Sequence, residues 1–177
     1  MKKTHRSVTA AAATIVMDSP VGELCLAATD EGLTHILFVA QMDEKPQTVP
    51  GKGAAARIVR QTESQLADYF AGRRREFDVP LAPAGTEFQR AAWKALAEVP
   101  YGETLSYAEL ARRMERPSAV RAVGAANGAN PIPIILPCHR IVGADGTLTG
   151  YGGGLEIKRR LLSLEGIEPQ SGLAFED

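Results

Sequence analysis

The chain has 177 residues, 45% of them hydrophobic and 23% charged, with a net charge of −1. That is enough apolar material for a real core, in one large domain or two small ones. The near-cancelling charge excludes both a disordered chain and a protein that coats polyanions by bulk charge, so nucleic-acid binding requires a local basic patch.

The N-terminus, MKKTHRSVTAAAATIVMDSP, starts basic, but its apolar part is short, alanine-rich and ends at Asp18. It reads as a tail entering a strand, not a signal peptide. No run approaches a membrane span. Cys25 and Cys138 are the only cysteines and lie far apart, which points to free thiols in a reducing cytoplasm.

Next come three strand-like runs, AATIVMD, ELCLAAT and LTHILFVA, separated by the turn sequences SPVG and TDEG. A polar loop, QMDEKPQTVPGKG, leads to a helical pattern from Ala54 to Phe70, with Ile58, Leu66 and Phe70 as its apolar stripe against the sheet. FDVPLAPAG reads as an extended segment and linker, which places a domain boundary near Ala84, with domains of 1–83 and 84–177. Beyond it, Thr86 with Gln89 and Ser106 with Glu109 have capping-box spacing. They predict helices over 86–98 and 106–114, followed by a third from Ser118 to about Asn127. Two short helices joined by a tight turn fit a helix-turn-helix. A proline-rich run holding Cys138, the loop GTLTGYGGG, a last helix ending at Gly166 and a mobile tail, IEPQSGLAFED, complete the chain.

Cys138 stands in Pro-Cys-His-Arg and admits three readings. A buried cysteine is usually inert packing. Against that, the positive charge of His139 and Arg140 would favour a thiolate. In an extended chain adjacent side chains diverge, so a bridging water is the expected link between Cys138 and His139. A metal site is disfavoured, since three histidines and two cysteines lack ligand spacing; His35 reads as structural. Glu165, at a helix C-terminus, is either a solvated last-turn residue or an orienting partner for His139. The helix SAVRAVGAANGAN is either a buried helix with close neighbours or one whose small residues allow approach to a minor groove, with Arg121 entering the base stack. Arg112, Arg113 and Arg116 could meet phosphates or simply form a solvated face.

SYAEL, RAVGAANGANPIPIILPCHRIVG and TGYGGGLEIKRRLLSLEG closely resemble the O6-alkylguanine-DNA alkyltransferases, nearest to the bacterial Ogt type. The likeness is almost continuous from Thr86 to Gly166 and looser from DSPVGEL onward through the first domain. It implies an N-terminal RNase-H-like α/β domain with an antiparallel sheet and helix, and a mostly α C-terminal domain with a winged helix-turn-helix.

By position, the resemblance makes Cys138 the alkyl acceptor, His139 a base acting through water, and Glu165 the residue orienting that histidine. Tyr107 would hydrogen-bond the guanine. Arg121 would fill the gap left by a flipped nucleotide, with Ala122, Ala125, Ala126 and Asn127 on the DNA-binding face. Asn130 would brace the turn before the acceptor strand and border the substrate pocket, which Ile141, Tyr151, Gly152 and Gly153 would line. The implied partner is double-stranded DNA carrying O6-alkylguanine, or O4-alkylthymine, bound through its minor groove by a cytoplasmic monomer without cofactor or metal. Cys25 and His35 do not fall where some family members hold zinc. The rivals are an alkyltransferase-like protein that flags lesions without repairing them, a cysteine hydrolase, and a plain winged-helix regulator. The retained Cys138 argues against the first. The Arg121 helix and Tyr107 have no purpose in the second, and Pro-Cys-His-Arg has none in the third.

Overall fold

The computed structural model describes residues 11–168, so the expected N-terminal tail over 1–10 and the last nine residues of the expected mobile tail lie outside the described residues. The chain divides into two compact units between Ala84 and Gly85.

In the first unit, β1 (Ala13–Met17), β2 (Leu24–Ala28) and β3 (Leu33–Phe38) form an antiparallel meander in the order β1-β2-β3. All five residues of the central strand are buried, including Cys25. A strand covered on both faces needs no polar alternation, which explains the unbroken run LCLAA. The extended segment after the helix is more than a linker. Leu33 N–H donates to the Pro80 carbonyl at 2.8 Å and Ala82 N–H to the Leu33 carbonyl at 2.8 Å, extending the sheet edge. Helix α1 (Gly53–Phe70) packs on the sheet through Ala55, Ile58, Val59, Thr62, Leu66 and Tyr69. The helical period therefore carries the buried stripe through Tyr69, not Phe70, which is only half-buried.

The second unit is helical. Helices α2 (Glu87–Ala97) and α3 (Tyr107–Arg113) both open with complete capping boxes, formed by Thr86 with Gln89 and by Ser106 with Glu109. Helix α4 (Val120–Gly128) starts two residues later than expected, because Ser118 provides no cap and the preceding residue, Ala119, offers no side-chain acceptor. The Trp93 indole N–H reaches the Ala126 carbonyl at 2.9 Å, locking α2 to α4. Two short strands, β4 (Leu105–Ser106) and β5 (Ile141–Val142), pair in parallel and set the start of α3 beside the segment that follows Cys138. Helix α5 (Leu155–Leu164) closes the unit. Its N-cap, Gly154, has φ 91, a left-handed conformation that favours glycine.

Candidate active site

Cys138, His139 and Arg140 form one 3-10 turn, not the extended chain expected there. The chain reaches this turn through a bend at Ile134, a buried residue with φ 77. A β-branched side chain in that region costs roughly 1–2 kcal/mol, so the surroundings have to hold it there. Asn130 does this: its amide donates to the Leu136 carbonyl at 2.7 Å and its carbonyl accepts from Ile132 N–H at 2.9 Å. Asn130 therefore braces the approach and is not a pocket wall.

The turn's side chains point inward. His139 is fully buried, and its Nε2 lies 2.7 Å from Glu165 Oε1. Glu165 is not a solvated residue: its side chain is 0% exposed. The carboxylate also accepts two Arg140 hydrogen bonds, from Nε at 2.8 Å and Nη2 at 2.9 Å, and one from Gly102 N–H at 3.3 Å. Arg140 Nη1 donates to the Val99 carbonyl at 2.6 Å, and its guanidinium lies 5.7 Å from the Tyr101 ring centre. Arg140 is thus a structural brace with no free edge directed at a ligand.

A carboxylate gripped by a guanidinium fork is ionised and can only accept hydrogen bonds. The His139 nitrogen facing it must therefore carry a proton. Burial holds the imidazole below its ordinary pKa; Glu165 opposes this, while Arg140 and Lys158 add to it. The ring is neutral at pH 7, which leaves Nδ1 as a lone-pair acceptor. Nδ1 is buried and takes no hydrogen bond from the described protein atoms.

A pocket of about 560 Å³ opens over α4. Its walls are Tyr107, Val120, Arg121, Gly124, Asn127, Gly128, Thr149, Gly150, Tyr151 and Gly152. Tyr107, the first residue of α3, accepts a hydrogen bond at its hydroxyl from Thr149 at 3.3 Å. Cys138 is not in these walls, although it is buried in the same unit.

Several expected positions move. Gly153 lies outside the pocket lining. Ile141 is fully buried: its N–H donates to the Cys138 carbonyl and its own carbonyl accepts from Lys158, leaving one carbonyl lone pair for any other donor. Arg121, Ala122 and Ala125 are exposed along α4, but Ala126 and Asn127 are not on that face. The 3.6-residue period buries the Ala126 side chain, whose backbone carbonyl accepts from Trp93, and Asn127 faces the pocket. Arg112 and Arg113 are exposed at the end of α3, while Arg116 lies 5.6 Å above the Phe88 ring.

Lys158 is the residue that the sequence reading missed. It is fully buried, and its ammonium donates to the Ile141 carbonyl at 2.5 Å and the Thr149 carbonyl at 2.7 Å. It thereby ties the segment after the Cys138 turn to the pocket loop. The signal was present: Lys158, Leu161, Leu162 and Glu165 recur at helical spacing, so two charged residues occupy the buried phase of α5.

Comparison with known proteins decides the family. The model of the 6-O-methylguanine DNA methyltransferase DNA-binding domain matches residues 87–167, and that of the ribonuclease-like domain matches residues 14–83. The chain belongs to the 6-O-methylguanine DNA methyltransferase family. Similar relatives are named methylated-DNA--protein-cysteine methyltransferase. The relative from Methanosarcina mazei is 48% identical over 85% of this chain and 94% of its own length. That from Mycobacterium bovis is 49% identical over 91% of this chain and 96% of its own length. The crystal structure of Mycobacterium tuberculosis OGT in complex with DNA aligns with TM-score 0.75 and 48% identity, covering 88% of this chain and 94% of that one. Within this methyltransferase family, the fold is a small antiparallel-sheet domain followed by a helical domain. Among the described residues, no group of three or more His, Cys, Asp or Glu could hold a metal ion, and no helix is long and apolar enough to cross a membrane.

Proposed function

We propose that the protein repairs DNA by direct reversal, moving the alkyl group of O6-alkylguanine in double-stranded DNA onto Cys138 in a single irreversible event. The observation that carries this reading is the buried His139–Glu165 hydrogen bond, with Arg140 fixing the same carboxylate one residue from the acceptor.

Helices α3 and α4 act as the helix-turn-helix of a winged domain. The small exposed residues Ala122 and Ala125 allow α4 to approach the minor groove, and Arg121 fills the space left when the damaged nucleotide rotates out. That rotation costs a few kcal/mol of unstacking, least for a damaged base. The extruded base enters the pocket between Tyr107, Gly124 and Tyr151.

His139 Nδ1 then takes the thiol proton of Cys138 through a water. The thiolate attacks the alkyl carbon in line: the S–C bond forms, the C–O6 bond breaks, and the electron pair leaves on guanine. Because Thr149 donates to the Tyr107 hydroxyl, the phenol keeps its own proton to give to the leaving base. The product is a neutral thioether, a bond stable enough that the cysteine is spent in one transfer. The protein works as a monomer in the cytoplasm, and O4-alkylthymine is a further candidate substrate.

Incubation with O6-methylguanine DNA should add one methyl group to the peptide containing Cys138, with one lesion lost per protein molecule. Mass spectrometry of the digested protein checks this. Catalytic turnover, or an unmodified Cys138, overturns the proposal.

A further inference from the structure

Glu165 stands where a carboxylate is least favoured. It is the C-cap of α5, beside the negative end of that helix's dipole, and its side chain is fully buried. The last carbonyls of a helix also lack partners within the helix. Arg140 offsets part of this cost through its two hydrogen bonds to the carboxylate. The rest is met by a short turn between α2 and β4, more than 60 residues before Glu165.

Residues 100–103 form this turn, closed by the Glu103 N–H donating to the Pro100 carbonyl at 3.3 Å. Its third residue, Gly102, has φ 79, the left-handed conformation that a type II turn needs at this position. Four contacts run from the turn and the residue before it to the end of α5 and its arginine partner. The Gly102 N–H donates to Glu165 Oε2 at 3.3 Å. The Tyr101 hydroxyl donates to the carbonyl of Leu164, the last residue of α5, at 3.0 Å. The Tyr101 ring lies against the Arg140 guanidinium, and the Val99 carbonyl takes Arg140 Nη1. Counting His139 Nε2, four hydrogen bonds reach the Glu165 carboxylate, about as many as such a group accepts. The turn therefore grips the same residue pair twice, once by backbone and once by side chain.

Resting on the reading of His139 as the base that serves Cys138, we propose that Tyr101 and Gly102 are positioning residues for the transfer. They fix Glu165 Oε1 at 2.7 Å from His139 Nε2, and so aim Nδ1 at the water and thiol it serves. Neither residue lines the pocket, and both act through Glu165. A carboxylate free to swing lets the imidazole turn with it, and the rate of a positioned reaction falls steeply with such displacements.

Two full-length variants test this. Tyr101→Phe keeps the ring against Arg140 and removes only the hydroxyl. Gly102→Ala strains the turn at φ 79 and puts a methyl group 3.4 Å from the Glu165 carbonyl. In protein with 15N-labelled histidine, the Nε2 proton of His139 is assigned by its loss in His139→Gln. That resonance should move upfield and exchange faster with water in both variants, as the bond to Glu165 lengthens. Single-turnover methyl transfer from saturating O6-methylguanine DNA, scaled to the folded fraction, should slow several-fold in Tyr101→Phe and roughly tenfold or more in Gly102→Ala. DNA affinity should not change. If Gly102→Ala does not fold, Tyr101→Phe decides alone. An Nε2 proton resonance that stays in place in folded Tyr101→Phe means that the turn only stabilises the fold, and overturns the proposal. Failure of the unsubstituted chain to methylate Cys138 would refute the repair function instead, leaving the Nε2 resonance to judge the turn.

Discussion

The two cysteines show how completely surroundings set the chemistry of one residue type. Cys25 lies on the central strand with no exposed surface, flanked by Leu24 and Leu26, and burial pushes its thiol up to about 11. It is a packing residue. Cys138 is nearly as buried, but its turn carries His139 and Arg140, and Lys158 is buried against the carbonyl of Ile141, three residues on. The same apolar burial that silences one thiol strengthens every charge–charge interaction at the other. His139 carries a testable consequence. Its folded-state pKa lies below the ordinary histidine value because burial disfavours the imidazolium. As pH falls below about 6.5, the unfolded chain takes up a proton that the folded chain refuses. The stability contributed by a neutral His139 is therefore full above that pH and lost as pH drops through the window below it. Urea midpoints at pH 7.5 and 5 should fall further for the unsubstituted chain than for His139→Gln.

At the scale of elements, local hydrogen bonds define where the helices begin, and contacts distant in sequence decide what they face. Both capping boxes close within three residues, and each stops an uncapped helix start from fraying. The start of α3 places Tyr107 at the pocket wall, opposite the glycine at position 124 of α4. A methyl group added at Gly124 would meet Tyr107 Cδ1 at 3.8 Å and Cε1 at 3.9 Å, which is ordinary contact. Gly124→Ala should therefore stabilise α4 by about 1 kcal/mol through helix propensity while narrowing the pocket. The urea midpoint should rise. The ratio of O6-benzylguanine to O6-methylguanine repair rates should fall, because the larger group needs the space that the new methyl occupies. An unchanged ratio would mean that the alkyl group does not lie against Gly124.

On the scale of the whole molecule, each unit has its own core, and all the machinery around Cys138 belongs to the second. Transfer should weaken that unit specifically. Cys138 is buried, so the added alkyl group has to be fitted into packed surroundings at a cost of typically about 1–3 kcal/mol. Calorimetry of the methylated protein should show a lower melting temperature for the second unit, by roughly 4–8 °C per kcal/mol lost in a domain of this size.

The sequence by itself determined much of what depends on neighbours a few residues apart: the three-stranded meander, both capping boxes, the helical order of the second unit, and the motif Pro-Cys-His-Arg with its family likeness, though not the 3-10 turn at Cys138 or the start of α4. It could also name His139 and Glu165 as partners, though the residues alone left Glu165 equally readable as a solvated helix end. What only the tertiary structure decided lies at long separation. The His139–Glu165 bond spans 26 residues, the Arg140–Glu165 fork 25, and the Lys158–Ile141 bond 17. Periodicity tells which face of a helix is buried, but not what lies opposite it. Lys158 showed in the sequence only as a charge at an apolar phase of α5, and Ala126 and Asn127 only as small and polar residues on a helix. The fold gave the first two carbonyls to hold, and turned the other two from the exposed face of α4 into buried positions. Pro-Cys-His-Arg pointed to a reactive cysteine only through its family likeness; the buried charge around it depends on packing that no local pattern encodes.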